Sequence, residues 1–87
     1  MRLIGKDKLL HFRGINEEID TWISAWVTEL SNATWFNPTD LRNSFPKVNS
    51  LEGSVFIFPI CSTNYNVKVI LSFRNSIALI SEVITIK

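Results

Sequence analysis

NYNVKVILSF, residues 64–73, decides the fold of this chain. With a period of two it sets Tyr65, Val67, Val69, Leu71 and Phe73 on one face. Asn66, Lys68, Ser72 and Arg74 fall on the other, and only Ile70 breaks the pattern. Alternation of this kind, carried by aromatic and β-branched residues, marks a half-buried strand. Such a strand belongs to a sheet with one face packed on helices and one polar face in reach of a partner.

Its neighbours build the rest of the sheet. Residues 54–58, SVFIF, form a preceding strand, and Pro59 implies an edge, a bulge or an end there. Ser62, Thr63 and Asn64 supply the hairpin turn between the two strands. Arg74, Asn75 and Ser76 turn the chain again into residues 77–86, IALISEVITI, a nearly continuous aliphatic strand. A strand this apolar is an aggregation hazard unless covered, so it is expected inside the sheet or under a partner.

Upstream, residues 1–4 read as a short edge strand and residues 6–13 as a short helix closed by Gly14. Lys6, Lys8, His11 and Arg13 make the outer side of that helix basic, either a solvated face or a contact for RNA or an acidic partner. Asn16 suits an N-cap, with Glu17, Glu18 and Asp20 at the positive end of the helix dipole. Ile19, Trp22, Ile23, Trp26, Val27 and Leu30 follow at helical spacing, and the tryptophans are expected to pack on the sheet. Ser31 and Asn32 end this helix. Asn37 and Pro38 open a third, brief one with Leu41 and Phe45 inward, and residues 47–53 are a polar connector. The order β-α-α-(α)-β-β-β predicts an α+β fold, a small antiparallel sheet packed on two or three helices.

The totals agree with a single domain over residues 1–87. A chain of this size buries roughly 60–65% of its unfolded surface, so a partner covering apolar surface matters energetically. Nine Lys and Arg against eight Asp and Glu give a net charge of +1, without the basic excess of a dedicated nucleic-acid binder. One cysteine, Cys61, excludes an intrachain disulfide, and no run reaches the ~18 apolar residues of a membrane span. The N-terminus carries no signal-peptide apolar run, so a reducing cytoplasm is expected. One His and one Cys make no zinc site, and the three glycines form no phosphate loop. An enzyme built from this chain would work without metal or cofactor, through positioned polar and basic groups.

Four blocks carry a family resemblance: the opening MRLIGKDKL, the Trp35-x-x-Pro38-x-Asp40-Leu41 segment ending in Phe45-Pro46, the strand holding Tyr65, and the closing residues 81–85, SEVIT. In this order they resemble HigB-type toxins of type II toxin–antitoxin modules, and the match runs over nearly the whole chain. The resemblance implies a RelE-like fold and a ribosome-dependent endoribonuclease that cuts messenger RNA. It also implies a cognate antitoxin, a HigA-like helix-turn-helix repressor, that holds the toxin inactive in a hetero-oligomer.

The departures fall where the activity should be. The family pattern Gly-Asn-x-Tyr-Arg reads Ser62-Thr63-Asn64-Tyr65-Asn66 here, and Ile86 stands where the family has a histidine. An electrostatic group at a phosphoryl transition state is worth roughly 10²–10³ in rate, and a general acid or base ~10²–10⁴. Catalysis is therefore assigned to Lys68, Arg74, Thr85 and Lys87, and RNA contacts to Arg42, Lys47, Tyr65 and Asn66. Lys68 and Arg74 are candidate phosphate contacts, and Tyr65 either packs in the core or stacks on a base. The alternative is a truncated or degenerate toxin without catalysis that binds its antitoxin or the ribosome.

Overall fold

The computed structural model describes residues 1–12, 14–15, 17–61 and 63–85, the His11 side chain apart. The proposed N-cap Asn16, Arg13 of the basic cluster, Ser62 of the first hairpin turn, and Ile86 and Lys87 lie outside these residues. In chain order the elements are β1 (Arg2–Ile4), a 3₁₀ helix (Lys6–Phe12), α1 (Glu17–Asn32), α2 (Pro38–Ser44), β2 (Asn49–Ser50), β3 (Val55–Pro59), β4 (Tyr65–Ser72) and β5 (Ile77–Thr85).

The five strands form one sheet in the order β1-β5-β4-β3-β2. From β5 to β2 every pair is antiparallel, as the meander predicts. The exception is β1, which lies parallel to β5. A parallel neighbour requires a long crossover, and everything from the 3₁₀ helix to β4 lies between the two strands. The sheet is therefore mixed, and β5, flanked by β1 and β4, is interior as its apolar sequence demands.

The connector at residues 47–53 holds the two-residue edge strand β2. Because β2 pairs only with Phe56 and Ile57, Pro59 at the end of β3 has no partner on that side to miss its N–H.

Along β4 the inward set behaves as its spacing requires: Val67, Val69 and Leu71 are buried. Phe56 and Phe58 from β3 and Ala78 and Ile80 from β5 join them against Ile19, Ile23, Trp26 and Leu30 of α1. An aromatic seam runs through this layer. Trp35 meets Phe45 edge-on at 5.9 Å, Phe45 meets Phe58 at 5.2 Å, Phe58 meets Trp26 at 5.4 Å, and Trp26 stacks on Trp22 at 5.8 Å. Offset and edge-to-face pairs of this kind add stability beyond their buried area.

α2 begins as the sequence predicts. Asn37 accepts a hydrogen bond from the Asp40 backbone N–H at 3.0 Å, and the Asp40 carboxylate accepts one from the Phe36 N–H at 3.0 Å. The first bond satisfies a donor that the helix start leaves unpaired, and the second ties the residue before the cap to the first turn.

One irregularity shapes the sheet. Lys68 of β4 pairs with Glu82 and the next residue, Val69, with Ile80, so Ser81 stands opposite no residue of β4. This is a β-bulge. The Ser81 carbonyl accepts a hydrogen bond from Lys8 Nζ at 3.0 Å, so one cation of the basic 3₁₀ helix has a structural use. Gly5 enables that approach: its φ is +93°, and a Cβ there would lie 2.9 Å from the Ile80 carbonyl oxygen.

Candidate functional site on the outer face of the sheet

The sheet face turned away from α1 carries the polar residues of β4, and register defines its rows. Nearest the first hairpin, Asn66 lies between Pro59 and Ile84. In the next row Lys68 lies between Ile57 and Glu82. The third runs Val55, Ile70, Leu79, Ile4, and the last Ser72, Ile77, Arg2.

Lys68 is the centre of charge on this face. Its ammonium is 3.9 Å from Glu82 Oε1, with 33% of the lysine side chain and 55% of the glutamate side chain exposed. Both groups are therefore open to a solvent-borne ligand. Asn66 is buried, and its Nδ2 donates to the Asn64 carbonyl at 3.1 Å. It thus braces the strand entry. Ile57 is also buried, yet it stands apart from the main core cluster.

The other predicted site residues lie elsewhere. Tyr65 is half-buried on the core side, its ring edge-on to Phe12 at 5.3 Å, which gives it the packing role. Thr85 is exposed and pairs with Tyr65 at one end of the hairpin. Arg74 is exposed in the turn beyond Ser72, at the opposite end. Seven residues of strand at ~3.3 Å each put ~23 Å between these ends, so Thr85 and Arg74 cannot act on one phosphate. Arg42, in the last turn of α2, and Lys47, just after it, are exposed in the helical layer and not on this face. Lys87 lies outside the described residues. Of the described residues assigned to catalysis, Lys68 alone forms an ion pair.

The partner of Lys68, Glu82, escapes a sequence reading for a definite reason. Counting back from the Ser72–Ile77 pair without a bulge would place Ser81 opposite Lys68 and turn Glu82 toward the helices. The bulge reverses the parity and turns Glu82 outward.

A cavity of about 320 Å³ lies at the helical side instead, lined by Trp22, Phe45, Phe58, Lys47 and Cys61 among others. Burial pushes the Cys61 thiol up from its ordinary value, and the nearby Glu18 adds to the effect; the Sγ is 3.7 Å from the Glu18 carbonyl oxygen. A thiol held protonated in this way is a poor nucleophile. Among the described residues no three His, Cys, Asp or Glu side chains come together as metal ligands, and no helix is long and apolar enough to cross a membrane.

A family model described as HigB_toxin, RelE-like toxic component of a toxin-antitoxin system, matches residues 19–87. The chain belongs to this family. No curated protein matches it. The two helices and five-stranded mixed sheet are consistent with the RelE-like architecture of HigB toxins. Membership in a toxin–antitoxin family implies an antitoxin partner for this HigB chain. The match spans α1 to β5 and so includes both members of the Lys68–Glu82 pair.

Proposed function

We infer that this HigB chain is a single toxin domain acting in the cytoplasm as a ribosome-dependent messenger-RNA endoribonuclease, and that a HigA-like antitoxin neutralises it. The observation that carries this reading is the Lys68–Glu82 pair, a base and an acid 3.9 Å apart and both partly exposed on the outer sheet face.

Their chemistry suits RNA cleavage by the ribose itself. The Glu82 carboxylate takes the proton of a 2′-hydroxyl. That oxygen attacks the adjacent phosphorus and forms a 2′,3′-cyclic phosphate as the bond to the 5′-oxygen breaks. The Lys68 ammonium balances the charge that builds on the phosphoryl oxygens and delivers a proton to the departing 5′-oxygen. Arg74 and Arg2, at the hairpin-turn end, would hold neighbouring phosphates without reading sequence. The ribosome supplies the alignment of the RNA that so shallow a face does not.

A second reading keeps the fold and drops the chemistry: a toxin relative that binds its antitoxin or the ribosome without cutting. It is favoured by the same pair, because Glu82 already neutralises the Lys68 charge in the unliganded chain. Incubating the purified chain with ribosomes translating a defined messenger separates the two. New RNA ends carrying 2′,3′-cyclic phosphate, lost with Glu82→Gln, support cleavage. Ribosome binding without new ends supports the second reading.

A further inference from the structure

The 3₁₀ helix carries a cation that the cleavage chemistry does not use. Its Leu9 is buried in the core and its Phe12 meets the Tyr65 ring edge-on at 5.3 Å, so the helix is fixed against the sheet. Lys8, next to the Leu9 anchor, donates from Nζ to the Ser81 carbonyl at 3.0 Å. Among the described residues the one ion pair is Lys68–Glu82, so the Lys8 ammonium is held by a backbone carbonyl and not by a carboxylate.

Ser81 is the residue that makes the acid–base pair possible. The register runs Lys68–Glu82 and then Val69–Ile80, which leaves Ser81 without a β4 partner. A bulged residue loses its place in the ladder, and its backbone groups need other partners. Lys8 supplies one through a charge-assisted bond, the stronger kind. Gly5 brings the segment close enough, since any Cβ there would lie 2.9 Å from the Ile80 carbonyl oxygen. Gly5 and Lys8 thus meet β5 at the two residues just ahead of Glu82.

We propose that Lys8 is a positioning residue for the Glu82 base: it clamps the bulge that turns the Glu82 carboxylate to the RNA face. The proposal rests on the reading of Glu82 as the base in RNA cleavage and adds the residue that holds this base in place. Rate is steep in such placement, and a misplacement of ~1 Å costs about 10²-fold in an oriented reaction. The Glu82 side chain is more than half exposed, and its contact with Lys68, at 3.9 Å, is too long for a hydrogen bond that would fix it. Its placement is therefore set by the backbone, and Lys8 holds the backbone at residue 81. Losing the clamp does not re-pair the strand, because an unbulged β5 would bury the Glu82 charge. It lets residues 81–83 fluctuate, and the carboxylate is then out of place for part of the time.

The test is a double-mutant cycle on the full chain, read by single-turnover cleavage of a defined messenger on saturating translating ribosomes. Lys8→Met lowers the rate at least about tenfold and leaves the half-saturating ribosome concentration within about threefold. Lys8→Arg, which keeps a charged donor, restores most of the rate. In a Glu82→Gln background the Lys8→Met change costs less than about twofold, since no base remains to be placed. Cleavage by Lys8→Met within about twofold of the parent overturns the proposal. An equal loss in both backgrounds also overturns it, because Lys8 then acts on an RNA phosphate or on the fold as a whole. Amide hydrogen exchange gives a readout without RNA. In Lys8→Met, residues 81–83 exchange at least about tenfold faster, while Ala78 and Leu79, paired with β1, are unchanged. Unchanged exchange at residues 81–83 overturns the proposal. A parent chain that does not cut, but whose residues 81–83 loosen in Lys8→Met, refutes the cleavage reading and leaves Lys8 as the clamp on the bulge.

Discussion

Substituting Lys68 by methionine separates catalysis from stability, because the two quantities at stake differ greatly in size. The substitution keeps the unbranched stem beside Ile57, its register partner on β3, and removes only the charge. The ion pair is long, at 3.9 Å, and exposed on both sides. Two unit charges at this distance interact by ~1 kcal/mol in water, and exposed pairs measured in proteins contribute about 0.2–1 kcal/mol. A melting temperature lower by no more than ~4–8 °C is therefore expected for a chain of this length. Removing a group that stabilises charge in a transition state costs roughly 10²–10³ in rate, or about 2.7–4 kcal/mol of activation free energy. The assay is single-turnover cleavage of a defined messenger on translating ribosomes, run beside a thermal melt of the same preparation. Rates depressed a hundredfold in a variant that melts within a few degrees of the parent support Lys68 as the cationic group at the cut. Cleavage within about threefold of the parent, with the fold intact, refutes the mechanism.

Further outcomes follow from the same geometry. Glu82→Gln leaves the fold intact and lowers cleavage by ~10²–10⁴, and combining it with Lys68→Met costs less than the product of the single losses, because the two act as one unit. Asn37→Ala, which removes the acceptor for the Asp40 N–H, costs about 1 kcal/mol in denaturant unfolding, whereas Asn37→Asp restores most of it. Gly5→Ala destabilises by more than Gly14→Ala: both sit at positive φ, but only at Gly5 would the new methyl meet a backbone oxygen, at 2.9 Å. Melting curves of the two variants check the order. The Cys61 thiol, raised by burial and by Glu18, holds its proton more tightly folded than unfolded. Its stabilising contribution is complete below the unfolded thiol value of about 8.5 and is lost as pH rises through the higher folded value, so Cys61→Ser flattens the fall of melting temperature in that alkaline window.

The fold was legible in the sequence wherever one periodicity and one burial pattern agreed. Val67, Val69 and Leu71 alternate inward, Ile19, Ile23, Trp26 and Leu30 recur at helical spacing, and Asn37-Pro38 punctuates α2, so local sequence and tertiary packing point the same way. What stayed hidden depends on pairing between distant segments. The parallel seat of β1 beside β5 follows from no feature of residues 1–4, and β2 is two residues long. The outward aspect of Asn66 follows from alternation, but its burial depends on the hairpin it braces.

The site was less legible than the fold because a single unpaired residue decides it. Lys68 can be placed on the outer face from alternation alone. Glu82 cannot, since β5 opens with four consecutive apolar residues, Ile77 to Ile80, which give no parity of their own. Ser81 sets that parity: left without a β4 partner, it turns Glu82 outward beside Lys68, and Lys8 satisfies the carbonyl at the same residue. An unbulged β5 would point the Glu82 carboxylate at the helical layer, where burial of an unpaired charge is prohibitive. The bulge, the Lys8 anchor and the outward Glu82 are therefore one structural solution, and the acid–base pair of the outer face exists only because the sheet is irregular at that residue.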